Sequence, residues 1–396
     1  MKKSLSNRIK ELPASATLEM SAKARELKNS GIDIIGLSVG EPDFGTPSFI
    51  KDSAIDAVNQ GYNSYSPVDG YSELKESIIF KFKRDNNLVY EKNQIVVSTG
   101  AKQSIYNVFQ VLINPGDDVI IFSPYWVSYS AMVTLAGGNP IDLKSDISSD
   151  FKVSPKQLEE VITPNTKLIL LNSPNNPSGS IYSEKELKDL SNVICKYPNT
   201  YVMSDEIYEH IYYDNYKPFS FAGIDKMYDK TITVNGLSKA YAMTGWRVGY
   251  IGAPEWIAKA CTKLQGQTTS GTNCIAQRAA ITALKSPLSK IKYMIDEFNF
   301  RRNRILDLIK DIDGFKINRP KGAFYVFPDI SIFFGKSING TEIKNATDFS
   351  LFLLEKANVA TVTGDALGCP NNIRISYAAS LEKIEDALNR IKNVLN

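Results

Sequence analysis

The sequence is poor in the residues that build metal sites, disulfides and hydrolytic triads. It has one histidine, His210, and four cysteines at positions 195, 261, 274 and 369 among 396 residues. The cysteines show no CxxC spacing, so neither a disulfide framework nor a zinc site is indicated. One histidine supplies too few ligands for a His-rich metal site, and a Ser-His-Asp triad would depend on it alone, without a GxSxG motif before it. The GxGxxG and GxxxxGK[ST] motifs of nicotinamide and nucleotide binding are also missing.

The chain also lacks an excess of one charge and long apolar runs. Its 46 basic residues nearly balance 43 acidic ones, with a net charge of +3 and no long basic block, which argues against nucleic acid as a partner. The N-terminus "MKKSLSNRIKELPASATLEM" has no apolar core of signal-peptide length, and runs such as "VIIF" and "LILL" are too short to span a bilayer. The sequence therefore predicts a cytoplasmic protein without membrane contact.

What is present indicates a large α/β protein. With 396 residues, 43% of them hydrophobic and 22% charged, the chain can bury a large core in two or three domains. From about residue 90 to 265, amphipathic stretches such as "EKELKDLSNVI" separate short β-branched runs, which are "QIVVS", "DDVIIFS", "TKLILLN", "TYVMS", "KTITVN" and "WRVGYIGA". This alternation predicts a doubly wound, mainly parallel sheet with helices on both faces.

The pattern changes after residue 285. A long helical segment, "SKIKYMIDEFNFRRNRILDLIKDI", leads to "KGAFYVFPDI", the strand "NIRISYA" and a closing helix "LEKIEDALNRIKNVL". The N-terminal segment ending "IIGLSVGEPDFGTP" is punctuated by Gly and Pro, and we expect it to pack beside the C-terminal part rather than in the main sheet. The predicted division is a large domain over residues 46–284 and a smaller α+β domain built from 1–45 and 285–396.

Several predicted strands end in polar side chains. Lys239 follows "KTITVN", Asp205 and Tyr208 follow "TYVMS", and Asn176 follows "TKLILLN" in the turn "NSPNNPSG". In open α/β sheets such strand ends carry ligands and catalytic groups. Taken singly, each has an ordinary explanation: a solvated lysine, an aspartate that caps a helix, and a plain loop.

A second group of residues is suited to an anion. In "STGAKQ", Gly100 precedes a helix, where the free N–H groups of Ala101 and Lys102 and the helix dipole attract a phosphate. Ser238 and Arg247 could add a hydroxyl and a bidentate guanidinium to the same anion. A plain turn remains the alternative for Gly100.

Two further residues complete the pattern. Trp126 follows a strand in "SPYWVSY" and could stack on a flat ring, although simple packing is the commoner role. Arg374 lies in "NIRISYA" on the opposite face from its apolar neighbours, where it could bind a carboxylate or simply face solvent. Together, a lysine nucleophile, an acid, a phenol, an amide, a phosphate cradle and a carboxylate-binding arginine fit pyridoxal phosphate and an amino acid.

These motifs resemble those of the class I/II aminotransferases of the fold-type I pyridoxal-phosphate enzymes, and most of all the bacterial aspartate aminotransferases. The resemblance runs from "PASATLEMSAKARELKNSGIDIIGLSVGEPDF" to "NIRISYAAS", almost the entire chain. Its markers occur in the family's order and are "YSPVDGYSELKESI", "STGAKQ", "SPYWVSY", "NSPNNPSG", "SDEIYEH", "GLSKAYAMTGWRVGY" and "KGAFYVF". Individually several are weak, but in sequence they are specific.

The resemblance implies a role for each candidate residue. Lys239 would form a Schiff base with pyridoxal 5′-phosphate, Asp205 would pair with its ring nitrogen, and Trp126 would cover the ring. Tyr208 and Asn176 would bond the ring hydroxyl. The implied phosphate ligands are Gly100, Ala101, Lys102, Ser238, Arg247 and Tyr65 of a neighbouring subunit in a homodimer. The implied substrate ligands are Gly40, Trp126, Asn176 and Arg374, with Lys102, Ser15 and Thr17 near a distal carboxylate.

The resemblance further implies an activity. The expected reaction moves the amino group of L-aspartate to 2-oxoglutarate by a ping-pong mechanism, giving oxaloacetate and L-glutamate. An aromatic amino acid or glutamate-prephenate aminotransferase, or a lyase with the same cofactor, stays open because fold does not fix reaction. A non-enzymatic regulator that binds pyridoxal phosphate is disfavoured, since every catalytic position is filled and no helix-turn-helix domain is appended.

Overall fold

The computed structural model describes residues 5–10, 12 and 16–395. The α-helices run, in chain order, α1 Asn7–Lys10, α2 Ala16–Asn29, α3 Ser48–Asn59, α4 Ser72–Asn86, α5 Ala101–Leu112, α6 Ser128–Ala136, α7 Pro155–Val161, α8 Glu184–Ile194, α9 Glu255–Thr268, α10 Cys274–Lys285, α11 Lys292–Ile309, α12 Ala346–Lys356 and α13 Leu381–Leu395. The strands are β1 Ile35–Gly36, β2 Ile95–Ser98, β3 Asp118–Phe122, β4 Asn139–Leu143, β5 Thr166–Asn172, β6 Tyr201–Asp205, β7 Thr231–Gly236, β8 Gly249–Gly252, β9 Tyr325–Val326, β10 Lys336–Ile338, β11 Thr341–Ile343, β12 Val359–Ala360, β13 Val362–Thr363 and β14 Ile373–Ser376.

The main sheet has the strand order β2-β8-β7-β6-β5-β3-β4. The adjacent strands from β7 through β6, β5 and β3 to β4 are all paired in parallel. Strand β8 is antiparallel to both of its neighbours, β7 and β2. All six predicted strands form, and the predicted mainly parallel sheet is confirmed. The edge strand β4 was not predicted, because "NPIDL" contains Asn139 and Pro140 and lacks the apolar run of a buried strand. Proline is tolerated at such an edge, where one ladder side has no partner.

Helices cover both faces of this sheet, as alternation along β5 shows. Leu168 and Leu170 belong to an apolar cluster with Phe109 of α5. Ile169 and Leu171 belong to another cluster with Leu187 of α8. Because successive strand side chains point to opposite faces, "LILL" must be apolar throughout to bury both sides. Each such side chain contributes about 1.5–3 kcal/mol of burial free energy, so the doubly wound arrangement follows from the strand composition.

The C-terminal part forms a smaller α+β unit around the antiparallel sheet β13-β14-β9. Helix α13 packs through Ile384, Ala387, Leu388 and Ile391, spaced as one helical face. The N-terminal segment joins this unit, since β1 pairs in parallel with β12 and the Ser376 N–H donates to the Leu37 carbonyl at 2.9 Å. Strand β1 of this segment therefore pairs outside the main sheet. Within the described ranges, every helix is too short or too polar to cross a bilayer.

Strand register decides which distant residues meet. Asn172 and Asp205, the last residues of β5 and β6, are paired neighbours, and the Asn172 side chain donates to the Asp205 carbonyl at 2.8 Å. The antiparallel strand β8 begins opposite the end of β2, since Ser98 pairs with Gly249. The segment before β8 therefore meets the segment after β2, and both lie at the carboxyl edge of the parallel strands.

Candidate active site

A cavity of about 160 Å³ lies at the carboxyl ends of β5, β6 and β7. Nine residues predicted from the sequence line it: Gly40, Ala101, Lys102, Trp126, Asn176, Asp205, Tyr208, Lys239 and Arg374. They come from both the large sheet and the smaller α+β unit. The fold thus gathers most of the predicted site into one place, as the position of ligands in open α/β sheets leads one to expect.

Asp205 is a buried carboxylate at the end of β6. Its Oδ2 accepts a hydrogen bond from the Tyr129 hydroxyl at 2.6 Å, and its Oδ1 accepts from the Ile207 N–H at 3.1 Å. Burial raises the pKa of the carboxyl, and these two donors oppose the rise. The residues that follow form a turn rather than a helix, so the helix-cap interpretation of Asp205 is wrong.

Lys239 follows β7 and reaches across the cavity. Its Nζ donates to the Gly40 carbonyl at 2.6 Å and lies 5.8 Å from the centre of the Tyr208 ring. Burial, together with the nearby Arg374 charge, lowers the pKa of the ammonium to about 8. A lysine with this pKa is partly neutral near physiological pH, which a nucleophile or a general base requires.

Arg374 lies on β14 and is 2% exposed. Its Nη1 donates to Asn176 Oδ1 at 2.9 Å, and its Nη2 donates to the Ser38 carbonyl at 2.6 Å. Its Nε has no hydrogen-bond partner among the described residues. A buried guanidinium without a carboxylate partner is costly, so the arrangement is suited to an anion that enters the cavity.

An anion cradle adjoins the cavity at the start of α5. Gly100 adopts φ = 82° before the helix, and a Cβ at this position would lie 2.7 Å from Arg247 Cζ. The Arg247 guanidinium therefore packs directly against the helix N-terminus, where the N–H groups of Ala101 and Lys102 have no intrahelical partner. Ser238 is buried next to Lys239 in the chain. A guanidinium beside a helix N-terminus is well suited to a phosphate.

Lys102 and Trp126 meet at the mouth of the cavity. The Lys102 Nζ lies 4.7 Å from the centre of the Trp126 ring. Partial burial, with the charge of Arg247, lowers the pKa of Lys102. The two side chains are thus in contact with each other in the lining of the cavity.

Comparison with known proteins identifies the family, because residues 32–391 match the model for aminotransferase class I and II. The chain belongs to this family. The aspartate aminotransferase of Bacillus sp. strain YM-2 is 44% identical over 392 residues, with 99% of each chain covered. The probable aspartate/prephenate aminotransferase of Rickettsia bellii is 45% identical over 390 residues, with 98% of each covered.

Solved structures give the same result. The crystal structure of the aspartate aminotransferase from Rhizobium meliloti matches with a TM-score of 0.96 and 41% identity, covering 99% of each chain. The Thermus thermophilus aspartate aminotransferase with maleate matches with a TM-score of 0.93 and 37% identity, covering 99% of this chain and 100% of that one. The predicted family and fold class are therefore confirmed.

Four described residues that were predicted for the site do not line this aminotransferase cavity; they are Gly100, Ser238, Arg247 and Tyr65. Tyr65 is 98% exposed and lies in a separate surface depression with Thr272 and Cys274. Ser15 and the side chain of Thr17 lie outside the described residues. The roles of Tyr65, Ser15 and Thr17 stay predictions.

Sequence reasoning also missed residues that line the aminotransferase site. They are Ile105, Tyr129, Asn172, Ile207 and Tyr325. Tyr129 bonds Asp205, and the Tyr325 hydroxyl lies 2.7 Å from that of Tyr208. Both tyrosines occur in quoted motifs, "SPYWVSY" and "KGAFYVF", but nothing in those strings shows which way a phenol points. Asn172 carried a usable signal, as the last residue of a predicted strand.

A buried charge network lies behind the turn that follows β6. Glu209 forms an ion pair with Lys81, which is 0% exposed, and it also accepts from Asn235 Nδ2 at 2.6 Å. His210 Nε2 lies 3.1 Å from Asp85 Oδ2. Although burial raises the pKa of Glu209, the charges of Lys81 and His210 hold it below its usual value. This network fixes the turn without contributing to the cavity wall.

Proposed function

We propose that this chain is an aspartate aminotransferase that uses pyridoxal 5′-phosphate to transfer the amino group of L-aspartate to 2-oxoglutarate. The observation that carries the proposal is the convergence of Lys239, Asp205 and Arg374 on one cavity. The reaction needs a lysine of lowered pKa, a buried carboxylate and an arginine to bind the substrate, and the Arg374 Nε has no hydrogen-bond partner in the described part of the chain. Family membership supports the same conclusion.

The residues present fit the cofactor. The absence of a Cβ at Gly100 leaves Arg247 against the start of α5, where a phosphate would be held with Ala101, Lys102 and Ser238. Asp205 would pair with the ring nitrogen, while Tyr208 and Asn176 would bond the ring hydroxyl, and Trp126 would cover the ring. When bound, pyridoxal phosphate supplies an electron sink for the bonds at the substrate Cα.

The chain's own residues orient the substrate and move its proton. Arg374 binds the α-carboxylate, with the Asn176 side chain and the Gly40 backbone beside it. Lys239 Nζ accepts the proton from the substrate Cα, because burial and the Arg374 charge make its neutral form accessible near pH 8. Tyr129 holds Asp205 Oδ2, which leaves the carboxylate fixed in orientation.

The dicarboxylic substrate is proposed from the names of the relatives and from Lys102. Relatives at 44% identity are called aspartate aminotransferases, and the Lys102 ammonium lies at the cavity mouth. Prephenate is a second candidate for the amino acceptor, since the Rickettsia bellii relative is named a probable aspartate/prephenate aminotransferase. Ser15 and Thr17 are proposed to assist Lys102.

The test is a half-reaction on purified protein loaded with pyridoxal phosphate. Excess L-aspartate without acceptor should change the cofactor absorbance once and release one equivalent of oxaloacetate per site. Adding 2-oxoglutarate should restore the original spectrum and yield L-glutamate. Prephenate in place of 2-oxoglutarate distinguishes the two candidates. A protein that binds the cofactor but shows no spectral change with any amino acid would refute the proposal.

We also propose a homodimer in which Tyr65 reaches the phosphate of the neighbouring subunit, since this side chain is 98% exposed. Sedimentation velocity should give a species near twice 44.0 kDa at assay concentration. An active monomer would contradict this arrangement. The boundaries 46–284 for the cofactor-binding domain and 1–45 with 285–396 for the small domain stay predictions, as does the cytoplasmic location.

A further inference from the structure

Tyr325 connects the two halves of the site. It lies on β9 of the small sheet and is 1% exposed. Its hydroxyl is 2.7 Å from the hydroxyl of Tyr208, which belongs to the turn after β6 of the large sheet. The motif "KGAFYVF" thus places a second phenol in the cavity wall, beyond the groups that the proposed function already uses.

The ring of Tyr325 has a separate partner in Arg374. The Arg374 Cζ lies 4.6 Å from the ring centre, so the guanidinium rests on the face of the phenol. Hydrogen bonds to Asn176 and Ser38 hold Nη1 and Nη2 of Arg374. The Tyr325 ring supports the face of the same guanidinium. One side chain therefore touches both the residue proposed for the cofactor hydroxyl and the residue proposed for the α-carboxylate.

The packing around Tyr325 leaves it little freedom. A Cβ at Gly40 would contact the Tyr325 hydroxyl and lie 3.2 Å from its Cζ. Gly40 also accepts the Lys239 hydrogen bond through its carbonyl. The phenol is held between the N-terminal segment, Tyr208 and Arg374, so the hydroxyl stays within hydrogen-bond distance of Tyr208.

Hydrogen-bond capacity sets the direction of the contact. A phenol donates one hydrogen bond and accepts others. When Tyr208 donates its hydrogen to an oxygen in the cavity, its own oxygen accepts, and Tyr325 is the donor within reach. We propose that Tyr325 is a positioning residue whose hydroxyl donates to Tyr208, directing the Tyr208 hydrogen into the cavity, while its ring supports Arg374. This inference rests on the proposed function, because it concerns the same cavity.

The two contacts separate by substitution. Tyr325→Phe keeps the ring under Arg374 and removes the hydroxyl bond to Tyr208, whereas Tyr325→Leu removes both. A matched control is Tyr377→Phe, because Tyr377 is also fully buried in the small unit and donates to the Ala323 carbonyl at 3.1 Å, but does not line the cavity.

The readout is the pH titration of the cofactor absorbance in loaded protein, measured without substrate. Without the Tyr325 hydroxyl, the Tyr208 hydroxyl is a weaker donor to the oxygen of the cofactor ring and stabilises the deprotonated cofactor less. Tyr325→Phe should therefore raise the titration midpoint by roughly 0.4 to 1 pH unit. The KM for aspartate should change less than about twofold. Tyr325→Leu should in addition raise KM by roughly two- to thirtyfold through the loss of support for Arg374. Tyr377→Phe should leave the midpoint at the wild-type value.

A double substitution tests the coupling. In a Tyr208→Phe background, Tyr325→Phe should shift the midpoint no further, because its partner is already gone. A wild-type midpoint in Tyr325→Phe, an equal shift in Tyr377→Phe, or fully additive shifts would each overturn the inference while leaving the proposed function intact. A wild-type protein that shows no titrating cofactor band would overturn the proposed function itself, and the role of Tyr325 with it.

Discussion

Replacing Lys102 with alanine tests whether this aminotransferase selects a dicarboxylic substrate. Lys102 is a partly exposed residue of the cavity lining, and its Nζ lies 4.7 Å from the Trp126 ring centre. It occupies the first turn of α5, where the helix dipole disfavours a cation, and burial with the charge of Arg247 lowers its pKa. A cation kept in such a place is expected to serve an anion, either the cofactor phosphate or the distal carboxylate.

The magnitude follows from the bond that would be lost. A hydrogen bond to a charged group contributes about 1.5–3 kcal/mol, and each 1.4 kcal/mol corresponds to a factor of about ten, so Lys102→Ala should reduce kcat/KM for aspartate by roughly ten- to a hundredfold. Because the Lys102 side chain is only partly buried, solvent screening favours the lower end of that range. Alanine and phenylalanine, which lack the second carboxylate, should lose only about two- to fivefold, the share of the contact with Trp126.

The assay compares steady-state kcat/KM for aspartate, alanine and phenylalanine in both proteins at fixed ionic strength. Lys185→Ala is a suitable control, since Lys185 is a solvent-exposed lysine of α8 whose side chain is 89% exposed. Lys185→Ala should leave kcat/KM unchanged for all three amino acids. Equal losses for all three amino acids in Lys102→Ala would mean that Lys102 serves the phosphate alone, and the reasoning for a dicarboxylic substrate would be refuted.

Three further substitutions test the site and its support. Lys239→Ala should abolish transamination while circular dichroism and thermal unfolding stay near wild type, and substantial turnover by the purified variant would contradict the mechanism. Asp205→Asn keeps the acceptor for the Ile207 N–H but removes the charge, so equilibrium dialysis should show weaker cofactor binding and the half-reaction should slow by at least about tenfold; unaltered affinity and rate would leave Asp205 a purely structural role. Glu209→Gln leaves the buried Lys81 ammonium without its ion pair and should lower the free energy of unfolding in urea by about 3–5 kcal/mol. Combining it with Lys81→Met should recover most of that loss, and a single-variant loss below about 1 kcal/mol would show that the pair is dispensable.

The sequence was sufficient where strand ends alone decide position. Parallel strands bring their carboxyl ends to one edge, so Asp205, Asn176 and Lys239 could be placed together before any contact was known. The sequence also predicted that Gly100 and Arg247 serve the same anion. The structure brings them together because β8 runs antiparallel to β2, a direction that was not predicted. The main sheet was predictable because "LILL" and its counterparts are apolar on both faces.

The rest depends on side-chain direction and on contacts between distant segments. Tyr129 points from α6 to Asp205, which lies 76 positions further along the chain, and Tyr325 meets Tyr208 across 117 positions. No periodicity encodes such meetings. The helix-cap alternative for Asp205 was reasonable from residue type, but the side chain bonds the Ile207 N–H within a turn. The edge strand β4 escaped notice because an edge needs little apolar character.

The N-terminal segment has a consequence for how this protein tolerates mutation. Ser38 and Gly40 present backbone carbonyls to Arg374 and Lys239, so the groups that contact the two cations belong to the main chain. An exchange of Ser38 for another small residue leaves its carbonyl in place for Arg374, although the side chain is buried and has room for little more. Two residues later the opposite holds, because any side chain at Gly40 collides with Tyr325. The two positions therefore differ in the side chain that they accept: a small one at Ser38 and none at Gly40.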